Sequence, residues 1–376
     1  MAHWNPIFLG LFLALFASVA AFSSGYPQGD RRWWTLFWLL AVLVIAAMVS
    51  GEGWPRQLLL DAAAFTGVAL VWCRGTIAAV RAARTYLLLL VVSLACLTGG
   101  ELLIHEQPLP RLAVALLVVG FGVKLALVPF YGWLPAVAGA AAPMTTVLIV
   151  SVVDVAAFTE LAHLGRTTPA LFADFRGLWV TLALLSMLTG AILALAQRDL
   201  RRMLAFSTID DMGYLILGLA AGPAIGVTGA LAGVCGHALS KMLLFGAVGI
   251  AEEQTGKPLT LETRGLAAHC PVAAAAFIVG ALGVIGVPPT FGFAGRWRLY
   301  LVGAAYGGGW LIAAMVLATG IALLYYARAI HRVWLGADAE ADPLPIPGLA
   351  SIVLAVVMIA MVLLGLVPGA ITAHLG

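Results

Sequence analysis

Charge is what this sequence has least of. Only 10% of its 376 residues are Asp, Glu, Lys or Arg, against 63% hydrophobic. Soluble domains carry about 25% charged and about 45–50% apolar residues, so a water-soluble globular protein is excluded. The four cysteines, Cys73, Cys96, Cys235 and Cys270, are scattered singly with no CxxC spacing. That argues against iron–sulfur or zinc binding in this chain and for buried structural thiols. No GxGxxG follows a soluble strand, no Walker loop is present, and no water-soluble segment is long enough to fold as a nucleotide domain. A net charge of +3, distributed over many short loops, gives no surface for nucleic acid.

What the sequence does have is long apolar runs. A hydrocarbon core roughly 30 Å thick needs about 20 apolar residues per helix, because only a helix or a closed barrel satisfies its own backbone in lipid. About twelve such runs can be marked: Pro6 to Ser24, Trp34 to Ser50, Leu58 to Cys73, Tyr86 to Ile104, Ala113 to Phe130, Pro143 to His163, Leu178 to Gln197, Ala205 to Ala221, Ile225 to Ala251, Pro271 to Val287, Gly303 to Ala327 and Leu349 to Val367. The first has no small-residue cleavage site before Tyr26 and reads as a retained span. The expected fold is all-α, a polytopic bundle in a lipid bilayer. The acidic stretch Asp338 to Asp342 with Pro343, Pro345 and Pro347 reads as a solvated loop before the last span.

Cations between the spans set the orientation. With both termini on one side, the opposite loops hold Arg31, Arg32, Arg74, Arg81, Arg84, Arg198, Arg201, Arg202, Lys257, Arg264, Arg328 and Arg332. The terminus side holds Arg56, Arg111, Arg166, Arg176, Arg298 and, if it is in a loop at all, Arg296. The expectation is an inner, cytoplasmic membrane of a bacterium or archaeon with both termini on the periplasmic or external side.

Two lysines stand apart from that allocation. Lys124 and Lys241 lie well inside apolar runs, where a charge costs about 2.5–3.5 kcal/mol on the most lenient scale and normally faces a bundle interior or a water-filled path. Asp61, Asp154, Asp210 and Asp211 are candidate partners inside spans, with Glu160 nearer an end. His237 precedes Lys241 by four residues, so a helix puts both on one face. The plainer readings are snorkelling for the lysines, interfacial placement for Asp61 and Glu160, and a satisfied interior histidine for His237. Two stretches break the spans: Leu127 to Pro135, LVPFYGWLP, with Pro129, Trp133 and Pro135, and Gly286 to Gly295, GVPPTFGFAG, with Pro288 and Pro289. Proline frees a backbone carbonyl one turn earlier, and paired interrupted segments point to inverted repeats around an ion site. Packing kinks are the alternative.

Four blocks together resemble a known family. GVKLALVPFYGWLPAVAGAAAPMTTVLIVSVVD from Gly122, QRDLRRMLAFSTIDDMGY from Gln197, GHALSKMLLFGAVGI from Gly236 and GVPPTFGFAGRW from Gly286 are similar to the antiporter-like subunits of respiratory complex I, membrane-bound hydrogenases and Mrp cation/proton antiporters. The resemblance implies N-terminal spans over 1–80, shortened relative to the family's fourteen, an antiporter-like core over 81–335 with two broken helices, and a loop and final span over 336–376 without a long lateral helix. It further implies a midplane chain of protonatable groups and water with half-channels to each side. Lys124, His237 and Lys241 match the family's lysine, histidine and lysine, and Trp133 and Pro135 match the loop between half-helices. Three positions depart: Asp154 stands where a bridging lysine is usual, Arg296 replaces a lysine after GFAG, and Asp211 lies near a usually neutral polar residue. The glutamate that pairs with the first lysine is absent, with Asp61 about a turn away, so a Lys124/Asp154 pair is expected in its place. Asp210 and Asp211 could receive protons from the cation-rich side. Because arginine does not deprotonate, Arg296 can steer or anchor but cannot relay a proton.

The implied function is proton translocation by a membrane subunit of a larger redox-driven complex, with other antiporter-like subunits and peripheral redox subunits as partners. No cofactor or metal is expected in this chain; iron–sulfur, flavin or nickel–iron centres belong to the partners. The alternatives are a Mrp-like cation/proton antiporter, the membrane part of an inorganic-carbon uptake system, and a non-conducting scaffold.

Overall fold

A computed structural model describes residues 5–25, 30–50, 53–106, 108–222, 224–336 and 348–375. The loop from Asp338 to Pro347 and Tyr26 lie outside the described residues. The chain runs α1 Asn5–Ser24, α2 Arg31–Val49, α3 Trp54–Trp72, α4 Ile77–Leu103, α5 Arg111–Lys124, α6 Trp133–Ala140 and α7 Pro143–Val147. A π-helical turn, Leu148–Val153, leads into α8 Asp154–Thr167. There follow α9 Ala170–Ala173, α10 Arg176–Ala196, α11 Leu200–Ala220, α12 Ala224–Thr255, α13 Leu266–His269, α14 Pro271–Ile285, α15 Gly292–Ala329, a second π-turn Ile330–Trp334, α16 Gly348–Leu366 and α17 Gly369–Thr372.

Among the described residues, nine helical stretches are long and apolar enough to cross a bilayer. The remaining apolar runs of the sequence become α3, which carries Arg56 and Asp61, the α5–α6 pair and the short α14. The thirty-eight-residue α15 is in fact a hairpin. Gly308 sits at φ 59°, ψ −146°, a backbone region open essentially to glycine alone. The Tyr300 hydroxyl consequently meets Thr319 Oγ1, nineteen residues on, at 2.6 Å, whereas a straight helix would hold them about 28 Å apart.

The two breaks fall where the proline stretches were read. At the first, α5 stops after Lys124, Ala126 takes φ 51°, and the Trp133 indole N–H donates to the Val123 carbonyl at 2.9 Å, tying α6 back to the end of α5. Tyr86 stacks on Trp133 at 4.0 Å. At the second, α14 ends on Gly286 with φ 82°, and the Phe291 amide donates to the Met361 carbonyl of α16 at 3.0 Å. At each break a backbone group freed from the helix thus finds a partner within protein, as lipid surroundings would demand.

Burial is uneven. The central stretches of α11 and α12 are fully buried and the α7–α8 stretch nearly so, while α1, α2, α4, α15 and α16 turn much of their surface outward. The α10–α11 approach is close enough that a Cβ on Gly190 would lie 2.3 Å from the Asp210 amide nitrogen. The connections at one end carry the cations: Arg74 donates to the Ala140 and Ala141 carbonyls, Arg201 to that of Ala141, and Arg328 to those of Leu195 and Gln197.

Candidate ion-path site

Two buried charge clusters flank the centre of the bundle. In the first, Lys124 at the C-terminal end of α5 is ion-paired with Asp61 of α3. Gln57, one turn earlier on α3, donates its amide to Asp61 at 3.2 Å. Beside them Arg56 Nε meets Glu160 Oε2 of α8 at 2.7 Å. All five side chains are buried. The lysine lies at the end of a half-helix because the break begins there, and the polar face of α3 supplies its counter-charge.

This arrangement corrects the pairing expected from the sequence. Lys124 takes Asp61, one turn from where the family's glutamate falls, and not Asp154. Asp154 opens α8 directly after the π-turn, is 0% exposed, and neither carboxylate oxygen accepts a hydrogen bond. Asp61 and Glu160 are both enclosed by protein and paired, with Lys124 and Arg56 respectively.

The second cluster is built on α11, α12 and the second break. Asp211 bridges two partners: one oxygen lies 2.8 Å from His237 Nδ1, the other 2.6 Å from Arg296 Nη2. Arg296 also donates to the Val284 carbonyl at 2.6 Å, and its guanidinium lies 3.6 Å from the Tyr214 ring centre. Lys241, fully buried, donates to the Leu204 carbonyl at 3.0 Å and to Ser207 Oγ at 2.5 Å. Ser207 shares a 2.7 Å hydrogen bond with the Tyr326 hydroxyl, and Tyr325 donates to Asp210 at 3.4 Å.

His237 and Lys241 do share one face of α12, as their spacing requires, but they meet different partners on α11. The imidazole takes a carboxylate, whereas the ammonium takes neutral oxygens within the field of Asp210 and Asp211. A buried ion pair or hydrogen-bonded ammonium is tolerated only where its other polar contacts are met, and these clusters meet most of theirs. Of the proline positions, Pro129 follows a cis bond from Val128, Pro288 and Pro289 share another, and Pro135 sits inside the first turn of α6.

Ser207, Tyr214, Tyr325, Tyr326 and Gln57 escaped the sequence reading. Tyrosines on apolar helices read as packing, and only tertiary placement shows their hydroxyls turned on charged groups. Ser207, a polar residue within an apolar run, and Gln57, directly before one, were the available signal. No cluster of three or more His, Cys, Asp or Glu able to hold a metal occurs among the described residues.

A helical membrane protein with two broken helices, each ending beside a buried cation, is the class that fold and site define. Residues 89–322 match the family described as NADH:quinone oxidoreductase/Mrp antiporter, TM, and the chain belongs to that family. It is 32% identical to NADH-quinone oxidoreductase subunit N of Desulforudis audaxviator over 350 residues, covering 86% of this chain and 69% of that one. It is 34% identical to NADH-quinone oxidoreductase subunit N 2 of Acidobacterium capsulatum, covering 68% of this chain and 55% of that one. Among solved structures, a chain of the Mrp complex from a Dietzia species superposes with a TM-score of 0.89 at 20% identity, over 100% of this chain and 82% of that one. A chain of respiratory complex I from Thermus thermophilus does so with 0.81 at 25% identity, over 100% and 87%. The Dietzia likeness speaks to the fold alone.

Proposed function

We propose that this chain is an ion-translocating membrane subunit of a larger redox-driven complex, that the ion is the proton, and that it moves along a string of buried groups comprising Asp61, Lys124, Asp154, His237, Lys241, Asp210 and Asp211, with Arg296 beside the string as a fixed charge. The observation that carries this reading is the placement of Lys124 and Lys241: both amines are buried within the bundle, and each is held by protein oxygens. Lysine shifts its proton affinity readily with partner and hydration, so rearranging the Asp61 or Ser207 contact would load or release a proton. Asp154 lies in the sequence between the two groups as a carboxylate with free oxygens. Arg296, permanently charged, anchors Asp211 and does not relay.

Redox centres, whether iron–sulfur, flavin or nickel–iron, are assigned to peripheral partner subunits, as the names of the relatives suggest. The other membrane partners are antiporter-like subunits. The cation-rich end is assigned to the cytoplasm of an inner membrane, with both termini outside. Replacing Lys124 or Lys241 by alanine, with assembly followed separately by native mass spectrometry, tests the reading. Proton uptake into inverted vesicles is expected to fall in both; unchanged uptake with intact assembly would establish a scaffold instead. Copurifying redox subunits distinguish the redox-driven complex from a Mrp-like exchanger or an inorganic-carbon uptake system.

A further inference from the structure

The second half of the molecule offers a poor outlet. Towards the terminus side of Arg296, the segments 212–220, 224–236 and 297–325 contain no Asp, Glu, Lys or His. Arg296 itself is fixed by Asp211, the Val284 carbonyl and the Tyr214 ring. The hydroxyls beyond it are spent locally: Tyr214 on the Met315 carbonyl at 2.5 Å and Thr319 at 2.7 Å, and Tyr300 on Thr319 at 2.6 Å.

The first half is built differently. On α3, Arg56, Gln57 and Asp61 descend from the terminus-side end at Trp54, Asp61 lying about 10 Å in. Glu160 lies seven residues before the end of α8 on the same side, again about 10 Å in. Glu101, two residues before the end of α4, is half-buried and within electrostatic reach of Glu160, Asp61 and Lys124. The Gln57 side chain is 3% exposed, gives its Nε2 to Asp61 and keeps a buried Oε1 that no protein group uses. It is an acceptor left open beside the carboxylate. Because Cβ bonds tilt towards a helix N-terminus and α5 starts on the terminus side, the Lys124 side chain also leans that way.

We infer that the path opens to the terminus-side face through the first half, from Lys124 by Asp61 and Glu160 to Glu101, which is its mouth residue. The inference rests on the conduction reading above. The proton leaves the Lys124 ammonium for the Asp61 carboxylate, breaking an N–H bond and forming an O–H bond. It then passes to the carboxylates of Glu160 and Glu101 and into water, and Lys124, left neutral, takes the next proton from the interior. Arg56 stays charged throughout and positions Glu160.

The test compares proton translocation by the assembled complex carrying Glu101→Gln, Glu101→Asp or Tyr300→Phe, with Lys241→Ala as the control on conduction. Glu101→Gln is expected to lower the rate by about tenfold, less than the 10²–10⁴ of an enclosed proton-transfer group because water can partly bypass a mouth. Glu101→Asp and Tyr300→Phe are expected to stay near the parent. In a variant with Cys73 and Cys96 replaced by serine, Glu101→Cys should be slow and should recover on modification with a carboxylate-bearing thiol reagent but not with a cationic one. Parent-like rates in Glu101→Gln together with loss in Tyr300→Phe would overturn the inference and assign the outlet to the second half. Parent-like rates in Lys241→Ala would overturn the conduction reading itself, so the two failures are distinct.

Discussion

Asp211 of α11 and Arg296 of the second broken helix meet at 2.6 Å in a fully protein-lined setting, with His237 on the other carboxylate oxygen. Removing one member of a buried pair leaves the other uncompensated, at a cost of about 3–5 kcal/mol. Asp211→Asn is therefore expected to lower the thermal midpoint of the purified complex sharply, whereas the double variant Asp211→Asn, Arg296→Met should recover much of the loss. Additive losses would mean that the contact carries no coupling.

The Lys124 and Asp61 pair invites the same cycle with a different readout. Lys124→Met and Asp61→Leu together are expected to assemble better than either alone, since hydrophobic replacement of a buried pair is often neutral, yet translocation should remain abolished in all three. Recovery of translocation in the double variant would remove this pair from the path.

Asp154 is the contrasting case. An ionised carboxylate without partners would cost several kcal/mol, and neither of its oxygens is hydrogen-bonded. Asp154→Asn, nearly isosteric, is expected to leave stability within about 1 kcal/mol of the parent while slowing translocation. A loss of stability as large as that in Asp211→Asn would mean that Asp154 is paired and charged.

Gly308 turns the α15 hairpin at a positive φ with open space around its absent Cβ. Alanine there meets no clash but must adopt a backbone region costing about 1–3 kcal/mol. Gly308→Ala is expected to lower stability by that amount, measured by thermal unfolding in detergent, whereas Gly309→Ala, also in open space but without the positive φ, should cost little.

The spans, both breaks and the interior lysines were legible because each leaves a local mark: an uninterrupted apolar run, a proline pair, a charge where lipid is expected. The Lys124 partner was not, since Asp61 and Asp154 are equally acidic in a linear text and only the packing of α3 against the end of α5 chooses between them. The α15 hairpin was hidden for the opposite reason. Gly307, Gly308 and Gly309 stand in a row, and composition alone does not distinguish a reversing glycine from two that follow the helix. The tyrosine hydroxyls around Asp210 and Ser207 left no mark at all.

That the central stretches of α11 and α12 are enclosed by other helices has an electrical meaning. The second charge cluster is sheathed from the acyl chains like the core of a cable, so changes in bilayer thickness or headgroup composition fall first on α1, α4 and α16. They reach Asp211 and Lys241 only as mechanical strain passed inward through the jacket.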